Sequence, residues 1–523
     1  MKRRITIGVP ENIARMFMNR ERLLTVSYRE KVSLLGTYVP FRISLKVFND
    51  FTKRTACKQE LPLKTFVSDF YQEGNAIYEA KRALALSLLK QFHFDPDTLE
   101  YQGTEWPNEW KQQNNLLVTI TGNEPLPTLI PGFDPAAGEM IEPDLENFND
   151  EDGQTSIDKQ EELKKKAEQL YSQPDTKAII LKRKRRSTRA ELEPDDIEWA
   201  CNGYVTWFNK EVEENDCKIL KEWVLEKGSR YVVYISIDAV YVEKQCSTHV
   251  KGIKPEMKEK KQRISHWNVA VEFDGLRYCL TEKTLFGAFQ QLFAFLLVNR
   301  LMGMYFVFIA DGETEIFVSV NKYFARWKKS LFLDWYHLQE KVHQKISSAI
   351  KHDMVIDPRK KAKADSEGTP PGESKNTALS NLYARKLYSI LWVGNVDAAI
   401  HYVQHINPQV IKNQDALNKF VDYLNNKRDW ITCYALRKRA GLRNASNGSE
   451  GINDVLVAGR QKVDGMTWGE EGSYSASNQS VIYANEEDEL WFNTNQVTFI
   501  VPEEKRAAGL NSIKKQVIGK KND

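Results

Sequence analysis

Three stretches of the chain are apolar on successive residues and each runs into an aspartate. Tyr231–Ile237 (YVVYISI) ends at Asp238, Met304–Ala310 (MYFVFIA) at Asp311, and Leu331-Phe332-Leu333 at Asp334. Runs apolar on both faces belong in a sheet covered by helices. Between the first two lies a pair of shorter runs, Ile264–Phe273 and Leu276–Leu280, joined by Asp274-Gly275. A two-residue Asp-Gly between apolar runs predicts a hairpin. An amphipathic helix follows over Thr284–Leu301. The pattern predicts three antiparallel strands, a helix, then two strands: an α/β fold with a mixed sheet flanked by helices.

Helical periodicity fills the flanks. Leu63–Phe92 repeats through Ile77, Ala80, Leu84 and Leu88, with Gly74 as a break. Residues 377–445 repeat through Leu379, Leu382, Ala384, Leu387 and Leu391, then Ala416, Phe420, Tyr423 and Leu424. Asn447-Gly-Ser-Glu450 opens a further helix with Ile452, Val455 and Leu456 inward.

Composition marks the joints. Residues 134–162 hold eleven acids against one lysine, a solvated linker, and the basic run Lys182-Arg-Lys-Arg-Arg186 follows. Residues 351–376 are rich in Pro, Gly, Ser and charge. The expected organisation is therefore a partly helical accessory domain (1–133), a charged linker (134–190), a first core part (191–350), a loop (351–376), a helical insertion (377–445), a final core part (446–500) and a basic tail (501–523).

Charge and cysteine usage narrow the chemistry. Across 523 residues, 74 Lys+Arg against 71 Asp+Glu leave +3, which excludes a polybasic coating protein and leaves nucleic-acid contact to local patches. Six scattered cysteines without a C-x2-C pair argue against a zinc ribbon or a disulfide framework. The basic start lacks an apolar region behind it, and Leu285–Val298, interrupted by Gln290-Gln291, is shorter than the roughly 20 residues of a membrane span. A cytoplasmic protein with no membrane partner is expected.

A single aspartate at a strand end is ordinarily a turn former. Arrangement changes that here. In a right-handed crossover, the strands ending at Asp238 and Asp311 lie side by side and parallel, so their carboxyls meet. Adjacent carboxylates repel, and one takes up a proton unless a cation sits between them. Hard oxygen ligands suit Mg²⁺, and two such ions about 3.5–4 Å apart suit phosphodiester chemistry.

A third acid is then wanted from a later helix. Glu450 is the candidate, although Asn447-x-x-Glu450 also fits a capping box. Arg437, Lys438, Arg439 and Arg443 precede it and Arg460 and Lys462 follow, a setting suited to a phosphate backbone or to a solvated helix face. Asp334-x-x-His337 places two polar groups on one side of a helix start, and leaves Asp334 a rival of Asp311 as second ligand. His401-x3-His405 has Tyr402 where a zinc protease has Glu, and is set aside.

Five segments together resemble DDE transposases of bacterial insertion sequences, of the Mutator-like kind with an RNase H-like core. They are VYISIDAVYV (233–242), FIADGETE (308–315), LFLDWYHLQEK (331–341), LWVGNVDAA (391–399) and the stretch 434–468 with its basic helix, Ser/Asn-rich turn, Glu450 and R-x-K-x-x-G-M-x-W. They fall within roughly residues 225–495.

The resemblance implies Asp238, Asp311 and Glu450 as catalytic and metal-binding acids, and Asp334 and His337 as site-supporting. It implies an RNase H-like sheet interrupted by an all-helical insertion within the 139-residue interval from Asp311 to Glu450. It further implies Mg²⁺ in two sites, with Mn²⁺ as a substitute, and DNA partners: terminal inverted repeats and target, handled by a homodimer or larger assembly at the prokaryotic nucleoid. The basic residues 437–439, 443, 460 and 462 would contact DNA.

The expected activity is metal-dependent strand cleavage and strand transfer. Its alternatives are a decayed copy that only binds DNA, and a two-carboxylate glycosidase, which would not need the basic cluster.

Overall fold

The computed structural model describes residues 17–19, 23–53, 61–111, 232–245, 262–327, 329–356, 376–434, 437, 442–446, 451–462 and 466–506. Two short antiparallel strands, β1 (Phe17–Asn19) and β2 (Leu23–Thr25), lead into α1 (Val26–Tyr38), α2 (Phe41–Lys53) and the long α3 (Leu63–Gln91).

The centre of the molecule is a five-stranded mixed sheet. It comprises β3 (Val232–Glu243), β4 (Arg263–Phe273), β5 (Leu276–Glu282), β6 (Tyr305–Ala310) and β7 (Lys329–Leu333), in the spatial order β5-β4-β3-β6-β7. The first three strands are antiparallel, and β6 and β7 run parallel to β3. At the β4–β5 turn Asp274 and Gly275 have φ of 50° and 74°, the paired positive dihedrals that Asp-Gly accepts and most residues resist.

α4 (Leu285–Val298) carries the chain across from β5 to β6, started by Thr284, whose side chain accepts from Gly287 N. α5 (Thr314–Tyr323) links β6 to β7, and α6 (Trp335–Ala349) follows β7. A short β8–β9 pair (Met354–Ile356, Asn376–Ala378) leads to three helices, α7 (Leu379–Trp392), α8 (Val396–Gln404) and α9 (Gln414–Lys427). The chain returns through α10 (residues 451–461), α11 (Glu470–Ala484) and α12 (Asp488–Thr494).

Both faces of the sheet are covered, which is why its central strands read as unbroken apolar runs. On one face Val233, Ile235 and Ile237 of β3 pack with Phe289, Leu292 and Phe293 of α4 and Phe317 of α5. On the other face two coverings meet. Val240 and Val242 pack with Ile452, Leu456 and Val457 of α10, whereas Tyr234, Val307 and Ile309 pack with α6 and the helices behind it. The seam between them lies over the middle of β3 near Asp238, and the strand expected to end at that aspartate instead runs on to Glu243, paired with β4.

The described part of segment 1–133 packs against this body. α3 lies against both α4 and α11. Its Lys81, 3% exposed, donates to Tyr278 Oη at 3.0 Å and pairs with Glu487 Oε2 at 2.5 Å. Arg29 of α1 pairs with Glu73 of α3, and its Nη2 also donates to Asn495 Oδ1 at 2.8 Å. Chain segments 406 residues apart are thereby joined through the buried Lys81–Glu487 ion pair, which fixes relative position more than it adds stability.

Two expectations about helices are corrected. Gly74 does not break α3; it is where α11 crosses, and a Cβ there would lie 2.4 Å from both Cα and O of Ser475. Val455 does not face inward: it is 51% exposed, while Val457 is buried. The cause is a π-helical stretch, Asp454–Ala458, whose wider turn shifts the buried stripe. No described helix is long and apolar enough to cross a membrane. Of the six cysteines, Cys279 and Cys433 are described, both buried and neither in a disulfide.

Candidate functional site

Ile237 of β3 lies opposite Ala310 of β6 in the parallel register, so Asp238 and Asp311 are the next residues on adjacent strands. Burial first and the Asp311 charge second push the Asp238 carboxyl up from 3.8 to about 6. His337, the Asn453 amide and the Ala239 N–H work the other way, each favouring the charged form.

A polar row crosses the sheet at this level. Asp238 faces Asn268 on β4, and Asn268 faces Thr281 on β5. Thr281 Oγ1 donates to Asn268 Oδ1 at 2.7 Å, and Asn268 Nδ2 donates to Asn453 Oδ1 at 2.8 Å. Asn453 Nδ2 completes the row with a short bond to Asp238 Oδ2. The row is buried except at the carboxylate, so its amides are fixed in orientation before anything binds.

Asp311 is held by its own loop. Its Oδ1 accepts from Glu313 N at 3.0 Å, and Gly312 at φ 99° turns the chain sharply behind it. Glu313 leans toward the same place, accepting from Tyr241 Oη at 3.3 Å. Its carboxyl is raised by burial and then by the charges of Asp311 and Asp238. The helical insertion closes the far side. Lys427 at the end of α9 donates to Thr314 Oγ1 at 2.7 Å, and Asp311 supports its charge against the effect of burial. Tyr423 is raised by burial and by Asp311.

Asp334 is committed to the backbone. It caps α6 by accepting from Tyr336 N at 2.8 Å, and accepts from Ser446 N at 2.6 Å and Ser446 Oγ at 2.5 Å. Trp335 N donates to Asn444 O at 3.1 Å alongside. The end of β7 is thus tied to residues 444–446, which come just before Glu450. Glu450 itself, with Lys438 and Arg439, lies outside the described residues.

The expected DNA-contacting residues divide sharply. Arg437 is 1% exposed: its guanidinium lies 3.9 Å from the Phe332 ring centroid and donates from Nε and Nη2 to Arg443 O at 3.0 and 2.6 Å. Arg460 is 8% exposed, set between aromatic rings. For Arg437 the reading as a surface phosphate contact is corrected, because its guanidinium is built into the interior, whereas Arg460 is withdrawn from the outer surface into the wall of a cavity. Arg443 is exposed but pairs with Glu272 at 2.5 Å, and Lys462 is exposed.

No family model, curated protein or solved structure matches the chain. The site therefore has to be interpreted from its own geometry. Two aspartates with hard oxygen donors, one of them pushed toward protonation by burial and then by the charge of the other, form a place where a divalent cation would relieve repulsion. Among the described residues no group of three or more His, Cys, Asp or Glu side chains is disposed to hold a metal. The aspartates fit such an ion as part of a donor set that needs a further ligand.

Asn453, Glu313, Tyr241, Tyr423 and Lys427 were not singled out in the sequence for this site. Asn453 had a signal, since it follows Glu450 by three residues, one helical turn. Glu313 stands in the FIADGETE segment itself. Tyr241 likewise stands in the VYISIDAVYV segment, whereas Tyr423 and Lys427 had no signal, because their approach depends on tertiary packing.

Proposed function

We propose that this chain is a DNA transposase of the DDE kind, cleaving and joining strands with Asp238, Asp311 and Glu450 as its acids. The observation that carries the reading is the juxtaposition of Asp238, midway along β3 where its pairing with β6 ends, and Asp311, just past the C-terminal end of β6. The sheet around them runs as three antiparallel strands, a crossover helix and two parallel strands, the order expected of an RNase H-like core.

In this reading the two aspartates and Glu450 hold Mg²⁺, or Mn²⁺ in its place. Such ions, when bound, activate a water or 3′-hydroxyl and stabilise the leaving oxygen of a phosphodiester. The chain's own groups prepare that place. Asn453 fixes one oxygen of Asp238, and Glu313 N fixes one of Asp311. Asp334 anchors Ser446 four residues ahead of Glu450, a supporting role, and His337 favours the charged form of Asp238. Lys427 supplies positive charge on the Asp311 side. Lys462, Arg443, Lys438 and Arg439 remain candidates for the DNA backbone, and an assembly of two or more chains would hold both element ends.

The test is strand cleavage and joining on element-end DNA with Mg²⁺. Asp238→Asn, Asp311→Asn and Glu450→Gln should each lower the rate about 100-fold or more while leaving DNA binding intact. Wild-type rates in any one remove that residue from the role. Binding without cleavage by the unmodified chain would assign it instead as a DNA-binding protein lacking catalysis.

A further inference from the structure

β3 ends at Glu243, and the chain just beyond it meets residue 468. Trp468 N donates to Glu243 O at 3.0 Å and Gln245 N to Trp468 O at 2.8 Å, so residue 468 continues the sheet for one step. Beside this join lies a cavity of about 350 Å³, within the size range of small-molecule sites. Its wall includes Phe41, Arg42, Tyr71, Gln245, Arg460 and Trp468, and among its lining residues are two arginines and no acid.

Arg460 is the unusual member. Its guanidinium carbon lies 5.2 Å from the Phe41 ring centroid and 4.9 Å from that of Trp468. Its Nε donates to Gly36 O at 3.3 Å and Nη1 approaches Met466 Sδ at 3.4 Å. Among the described residues no carboxylate pairs with Arg460 or with the exposed Arg42. A buried cation without an anion is costly unless something else supplies the charge. The same wall holds a second unmet demand: Trp468 Nε1–H is buried with no acceptor among the described residues.

Flat aromatic faces beside two guanidinium groups suit one chemistry in particular. Bases stack on aromatic side chains, and arginine forks match the oxygens of a phosphate. We propose that this cavity binds a nucleotide, its base against the Phe41–Tyr71–Trp468 wall and its phosphate on Arg42 and Arg460. The nucleotide comes either free or as an unpaired residue of a DNA strand. The site stands apart from the aspartates: Gln245 lies seven residues along the chain from Asp238, about 23 Å if extended. Binding is therefore read without metal and independently of cleavage.

The experiment titrates the full chain in EDTA with deoxyadenosine monophosphate, deoxyadenosine and inorganic phosphate by calorimetry. In parallel, fluorescence anisotropy compares a labelled blunt duplex with one carrying a single unpaired 5′-phosphorylated nucleotide. One arm or the other should show the site. Either the nucleotide binds at least about tenfold tighter than phosphate or nucleoside alone, or the unpaired end binds at least about tenfold tighter than the blunt one. The first outcome assigns a free nucleotide and the second a DNA strand. Arg42→Glu, at an exposed position that leaves folding intact, should abolish that preference, and Arg460→Lys should weaken it by loss of the fork. Phosphate binding as tightly as nucleotide with no preference for the unpaired end, or a preference that survives Arg42→Glu, overturns the proposal.

Discussion

Asn453 donates its side-chain amide to the carboxylate of Asp238 while accepting from Asn268, so a helix from late in the chain is latched to the first aspartate across 215 residues. Replacing Asn453 by Ala removes the donor that favours the charged carboxyl and strands the Asn268 amide. The Asp238 carboxyl should then titrate above its value of about 6, and stability should fall by about 1–3 kcal/mol. A pH profile of Mg²⁺-dependent cleavage should move its acid limb upward. An unmoved limb with lowered stability would make the latch structural only.

The same carboxyl predicts a stability profile. Its folded value of about 6 exceeds the ordinary 3.8, so the folded chain binds the proton more readily than the unfolded one. Its contribution is therefore fully present below pH 3.8 and is lost as pH rises through about 6. Asp238→Asn should stabilise the metal-free chain at pH 7.5 by up to about 3 kcal/mol, at about 1.4 kcal/mol per pH unit. The advantage should vanish near pH 4, and Mg²⁺ should shrink it at pH 7.5 by stabilising the unmodified chain. Urea unfolding at the two pH values, with and without Mg²⁺, checks this. No advantage at pH 7.5 in EDTA would mean that neither burial nor the Asp311 charge raises the Asp238 carboxyl.

The sheet was legible because its signals are local. Unbroken apolar runs, a two-residue Asp-Gly turn and a capped amphipathic helix each specify their own element, and the handedness of the crossover then brings Asp238 beside Asp311. The rest of the site depends on contacts that no local pattern encodes. Asn453 reaches Asp238 only because α10 docks over β3, and Lys427 reaches Asp311 only because α9 ends there. The arginines misled for a related reason. A charged residue in a basic stretch reads as surface, yet Arg437 and Arg460 stack on Phe332, Phe41 and Trp468, whose positions in the chain lie up to 419 residues away. Gly74 misled because a helix-weakening residue and a helix-crossing residue look alike in one dimension.

That crossing gives a third prediction. In an exposed helix Gly→Ala is favourable by about 1 kcal/mol through propensity. At Gly74 the new methyl would meet the Ser475 backbone at 2.4 Å, and backbone cannot rotate aside. Gly74→Ala should instead destabilise by about 1–3 kcal/mol as α3 and α11 are forced apart. Thermal unfolding measures the sign. A stabilised variant would show that the two helices do not approach so closely.

Arg437 and Lys462 separate interior charge from surface charge. Arg437→Met keeps the apolar stem over Phe332 but removes both donors to Arg443 O, leaving a carbonyl unmet. Its expected cost is about 1–3 kcal/mol of stability, with no change in the salt dependence of DNA binding by the folded protein. Lys462→Ala, at an exposed position, should leave stability within about 0.5 kcal/mol. As a phosphate contact it should lower the slope of log affinity against log salt by about 0.9. Measuring both variants by chemical unfolding and by salt-titrated DNA binding distinguishes the roles. A changed salt slope for Arg437→Met would place its guanidinium on DNA, and an unchanged one for Lys462→Ala would move the interface to another face.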